Sequence, residues 1–151
     1  QERDIRSGTL NVPGMVGFAK AVEIAIDEMD AENKKYKKWT DTMLEKFSAV
    51  GGKLNGHLTN RLVHNLNIRF DGVQSKSIIN TVSKKLAISA GSACTSDLVE
   101  PSHVLLALGL NEGQAHNSIR IGCNRYNIDE EIDFAINEIL NALESLAKIR
   151  V

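Results

Sequence analysis

Two runs of strict apolar and polar alternation limit what this chain can become. Leu66, Ile68 and Phe70 alternate with Asn65, Asn67 and Arg69, and Ile119, Ile121 and Cys123 alternate with Ser118, Arg120 and Gly122. A period of two puts each set on one face of a strand, so both runs read as strands covered on one side. Asp71-Gly72 closes the first run as a turn.

The neighbouring stretches have helical spacing. Met15, Phe18, Ala19, Val22, Ile26 and Met29, followed by Tyr36, Trp39, Met43, Phe47 and Val50, predict one long helix or two stacked ones over about 14–50, ended by Gly51-Gly52. Ser75 is placed to cap a helix that buries Ile78, Ile79, Val82 and Leu86. A short helix runs from about Ser102 to Leu108 and stops at Gly109. Asp129 is placed to cap the last helix, whose apolar stripe is Ile132, Ala135, Ile136, Ile139, Leu140, Leu143, Leu146 and Ala147. The run Leu86 to Ala90 is short enough for a further strand. Few, short strands among helices predict an α+β fold, a small sheet with helices layered against it. At 151 residues, 42% of them hydrophobic, the chain has material for one core.

The Gly and Ser residues after Ala90 favour a loop, and Cys94 sits on it between Gly91-Ser92-Ala93 and Thr95-Ser96. Neighbours this small leave a sulfur accessible, and turn N–H groups can stabilise its thiolate. Composition alone weighs a reactive thiol and a surface cysteine without a role about equally; the Gly91-Ser92 approach tips the balance to the reactive thiol. Cys123 shares the apolar face of its strand and reads as a buried structural cysteine. Arg120 lies on the opposite face, where a guanidinium can fork onto a carboxylate; a solvated arginine is the equal alternative.

Charge excludes some functions. Lys and Arg number 18 against 19 Asp and Glu, for a net charge of -1, so nothing suggests a nucleic-acid surface or a basic membrane-binding face. No apolar run approaches the roughly 20 residues that span a bilayer, and two cysteines make no disulfide framework, which suits a reducing, cytoplasmic setting. His57, His64, His103 and His116 have no metal-binding spacing, so no metal site is expected. Lys34, Lys35, Lys37 and Lys38 read as the wet side of a helix, and Lys53 lacks the rest of a phosphate loop. A start at Gln1, not Met, raises the expectation of a piece of a longer chain.

The string SAGSACTSDLVEPSHVLLALGL around Cys94 resembles the active-site segment of cysteine desulfurases of the NifS and IscS type, which are pyridoxal-phosphate enzymes. AHNSIR, ending at Arg120, is similar to that family's AHSSIR, and RSGT, ending at Thr9, to its RSGT. The likeness covers nearly the whole chain. Ala90 and Asn117 depart from it, standing where many relatives have serine, and the long cysteine loop resembles the NifS and IscS group more than the SufS-like one.

The resemblance implies the small C-terminal domain of a fold-type I transferase, with a short, mostly antiparallel sheet packed against helices and preceded by a long helix. Residues 1–13 would be an opening segment from the large cofactor-binding domain, and 14–151 the small domain carrying the cysteine loop at about 87–101. Cys94 would take sulfur from L-cysteine as a persulfide, Arg120 would clamp the substrate carboxylate, and Thr9 would reach the cofactor phosphate of the other subunit of a homodimer. The products would be L-alanine and sulfur for an acceptor scaffold protein, with iron–sulfur cluster assembly as destination. The family's cofactor lysine belongs to the large domain, so these residues alone would be inactive. The alternatives are a docking or dimerisation module of the same fold without catalysis, and a related lyase such as selenocysteine lyase.

Overall fold

A computed structural model describes residues 5, 8–90 and 100–148. The chain forms two compact units, one reaching Asn33 and the other starting at Lys34. Helix α1 (Val12–Ala49) is one continuous helix, not two. Its residues within the first unit do not bury the apolar stripe that their spacing predicts: Met15, Phe18 and Ile26 are 59%, 73% and 64% exposed. Helical spacing specifies a face, and a face stays wet where nothing packs on it.

In the second unit four strands form one sheet among the described residues, in the order β1-β2-β4-β3: β1 (Gly52–Leu54), β2 (Asn65–Phe70), β3 (Ser89–Ala90) and β4 (Ser118–Gly122). Every pairing is antiparallel. The expected α+β architecture, a short antiparallel sheet against helices with a long helix before it, is therefore what the chain adopts. Leu66, Ile68 and Phe70 from β2 and Ile119 and Ile121 from β4 enter one core with Tyr36, Trp39, Met43 and Phe47 of α1, Ile78 of α2 (Ser75–Val82), and Ile132, Ile136 and Ile139 of α5 (Asp129–Lys148). Two adjacent glycines join α1 to β1 for different reasons. Gly51 takes a φ of +88°, the left-handed region. At Gly52 a Cβ would lie 2.7 Å from the Phe47 carbonyl oxygen, so the strand can press on the helix end only without a side chain.

Several local expectations are corrected. The strand in Leu86–Ala90 is only Ser89–Ala90, because Lys85 and Leu86 still donate to the Val82 carbonyl in the turn after α2. Ser75 is the first residue of α2 and buried; Gln74 occupies the cap position without a side-chain bond. Asp129 does not cap α5. Its carboxylate is taken by Trp39 and Lys38, while Glu131 accepts from the Ile128 N–H and the Asn127 side chain at that helix start. Ala147 is exposed, and Ala142 is buried in its place in the stripe.

Helix α3 (His103–Ala107) follows the expected 102–108 span, with Gly109 at φ +88° beyond it. Strand β1 and helix α4 (Glu112–His116) were not anticipated. Helix α4 owes its existence to a capping box, in which the Asn111 side chain accepts from the Gln114 N–H and the Gln114 side chain accepts from the Asn111 N–H.

Candidate functional site

The helices cover one face of the sheet, and the other is polar. Asn67 lies opposite Arg120 across β2 and β4, and Ser89 of β3 lies opposite Arg120 on its other side. Just beyond β1, the Asn55 N–H donates to the Asn67 carbonyl, continuing the ladder by one pair. Directly opposed residues share a face, so Asn55, Asn67, Arg120 and Ser89 form one row across the sheet, with Lys53, Arg69 and Ser118 in the row beside it.

That face is tied together by side-chain hydrogen bonds. Lys53 Nζ and Arg69 Nε donate to the two oxygens of Asp71, at 2.6 and 3.2 Å. The Lys53 hydrogen bond is the main reason the Asp71 carboxyl is held below its usual range; desolvation opposes it, and the charges of Lys53 and Arg69 add to it. Arg69 Nη1 donates to Asn55 Oδ1 at 2.8 Å. Asn55 Nδ2 donates to Asn67 Oδ1 at 2.7 Å and to Ser118 Oγ at 2.9 Å, and Ser118 Oγ donates to the Gln114 carbonyl at 2.7 Å. This is how Asn55 and Ser118 remain buried without an unsatisfied group.

Arg120 stands apart from that network. It is exposed, and no carboxylate pairs with it among the described residues. An exposed guanidinium on a wall of neutral amides and hydroxyls suits a small carboxylate arriving from outside. Cys94 lies outside the described residues. Thr9 belongs to the first unit, in an exposed bend beside Gly8, where a φ of +106° and open space leave the backbone approachable.

Cys123 is buried beside Ile121, and burial pushes its thiol up, so it stays protonated and unreactive at neutral pH. It lines a cavity of about 510 Å³ with Met43, Leu86, Ile88, Ile121 and Phe134. Sequence reading placed Asn67 and Arg69 on the polar face but missed Asn55, since β1 is three residues long. The available signal for Gln114 was the spacing of Asn111 and Gln114, a capping box written in sequence.

Residues 1–134 match the family described as aminotransferase class-V. The cysteine desulfurase IscS of Rickettsia typhi is 42% identical over 153 aligned positions, covering 99% of this chain and 37% of that protein. Among solved structures, a NifS-like protein matches 95% of this chain with a TM-score of 0.80 at 31% identity, covering 37% of its own length. A NifS-like protein from Rickettsia africae matches 95% with a TM-score of 0.78 at 25% identity. The chain thus spans a little over a third of the length of the curated relatives it matches.

Proposed function

The chain belongs to the aminotransferase class-V family, and on that premise we propose that it is the C-terminal portion of a pyridoxal-phosphate-dependent cysteine desulfurase. The observation that carries the reading is the position of Arg120, unpaired among the described residues and flanked by Ser89 of β3. Ala90 ends β3, and Cys94 follows four residues later; four extended residues reach at most about 14 Å. The segment that carries Cys94 thus departs from β3 one residue beyond Ser89, which lies opposite Arg120, and that supports a thiol and a guanidinium serving the same substrate molecule.

Arg120 binds the carboxylate of L-cysteine through paired charge-assisted bonds and orients the amino acid. Pyridoxal phosphate, when bound, supplies an electron sink that weakens the bond between the substrate's Cβ and its sulfur. The Cys94 thiolate takes that sulfur: a sulfur–sulfur bond forms as the carbon–sulfur bond breaks, the electron pair of the broken bond stays with the substrate carbon, which takes up a proton, and the products are a persulfide on Cys94 and L-alanine. The persulfide sulfur then passes to an acceptor protein.

Thr9 carries one hydroxyl, a group able to donate to a phosphate oxygen. One hydroxyl cannot serve three phosphate oxygens, so the rest of the cofactor site belongs to other parts of the enzyme. By itself this chain is expected not to turn over. The proposal extends to residues 1–13 as a lead-in from the cofactor-binding domain and 14–151 as the small domain, to a homodimer, to sulfur delivery for iron–sulfur cluster assembly and to action in the cytoplasm. Among the described residues no helix is long and apolar enough to cross a membrane.

In the full-length enzyme, Cys94→Ala should abolish alanine formation from cysteine and persulfide build-up while the cofactor's visible absorption remains. Normal turnover in that variant would end the assignment. A non-catalytic docking module is the second reading, favoured by the exposed Met15, Phe18 and Ile26; it predicts that no full-length form consumes cysteine.

A further inference from the structure

The free end of the Asn67 side chain is decided on the same face of the sheet, toward β1. Arginine has donors and no acceptor, so the group that meets Arg69 Nη1 is the Asn55 oxygen. The other end of Asn55 is then its NH2, and what it meets on Asn67 can only be oxygen, at 2.7 Å. The Ser118 hydroxyl adds a second constraint, since it gives its proton to the Gln114 carbonyl and so accepts from the same NH2. What remains of Asn67 is a donor, its own NH2, turned away from Asn55 and without an acceptor among the described residues.

That donor stands beside Arg120 at a close point of the ladder. The bonds from the Cys123 N–H to the His64 carbonyl and from the Phe70 N–H to the Asn117 carbonyl mark alternate pairs of β2 and β4 as hydrogen-bonded. The pair Asn67 and Arg120 falls between them, at a non-hydrogen-bonded position where opposed Cα atoms are about 4.5 Å apart and side chains are closest.

We infer that Asn67 is a second substrate-binding residue, whose NH2 donates to the same carboxylate that Arg120 grips, with Asn55 and Arg69 as positioning residues that hold its donor end outward. This rests on the reading of Arg120 as the carboxylate clamp. The orientation matters because an oxygen at that place would pair with Arg120 itself and compete with the substrate.

The test compares L-cysteine with L-cysteine methyl ester, which lacks the carboxylate, in the full-length enzyme. Asn67→Asp keeps the oxygen that faces Asn55 and changes only the far end, from donor to anion. KM for L-cysteine should rise about tenfold to a hundredfold with kcat little changed, while KM for the ester stays put. Asn55→Asp does not touch the substrate, yet it offers Asn67 an acceptor and turns its amide around, so KM for L-cysteine should rise severalfold again without a matching change for the ester. If Arg120→Ala erases the preference for the acid and both asparagine variants keep it, Asn67 is not a carboxylate donor and the clamp stands. If Arg120→Ala keeps the preference, the clamp itself is wrong, and this inference goes with it.

Discussion

Trp39 and Asp129 are joined by a hydrogen bond of 2.5 Å, from the indole Nε1 to a carboxylate oxygen 90 residues further along the chain. The bond fixes the start of α5 against α1. Lys38 donates to the other oxygen at 2.7 Å, and Lys35 stacks over the Trp39 ring at 4.5 Å.

The pair makes a prediction about pH. The Lys38 hydrogen bond first, and the Trp39 one second, hold the Asp129 carboxyl below its ordinary range. A carboxyl with a depressed folded pKa adds stability above its unfolded value, near 4, and that stability is lost as the pH falls through the folded value. Asp129→Asn should therefore lower the urea midpoint at pH 7, and its difference from the parent protein should shrink as the pH falls below about 4. A difference that stays constant down to pH 2 would mean that the charge of Asp129 does not matter.

The glycines of the sheet should respond oppositely to the same substitution. Gly52→Ala puts a methyl group 2.7 Å from a backbone oxygen and 2.9 Å from Ile68 and Phe70 side-chain atoms, an overpacking that costs about 1–3 kcal/mol. Gly122→Ala meets nothing within 4 Å and should be neutral or gain up to about 1 kcal/mol, because it reduces the freedom of the unfolded chain. Denaturant unfolding of the two variants measures both.

Phe47 is fully buried and meets Phe70 edge to face, with ring centroids 5.9 Å apart. Phe47→Ala removes that contact and leaves a cavity between α1 and the sheet, so a loss of about 3–5 kcal/mol is expected. Phe47→Leu retains most of the volume and should lose clearly less. Equal losses would show that the site relaxes around the gap.

The elements legible in the residues are those whose pattern repeats. Strands β2 and β4 announce themselves by alternation, and α5 by a stripe sustained over about four turns. Strand β1 and helix α4 span three and five residues, too few for any period to register. Asp129 looked like a helix cap because local rules see only neighbours, and its partners Trp39 and Lys38 lie 90 and 91 residues away.

The site divides along the same line. That Arg120 lies on the polar face of its strand follows from alternation, a property of the extended backbone that needs no partner. That Asn55, Asn67 and Ser89 line up with it depends on the register of four strands, which buried apolar side chains settle once they find one another across the 50 residues between Ile68 and Ile119. The orientation of a single amide, Asn67 with its NH2 outward, is more remote still. It follows from a chain of bonds that begins at Asp71 and exists only after β1 and β2 have come together.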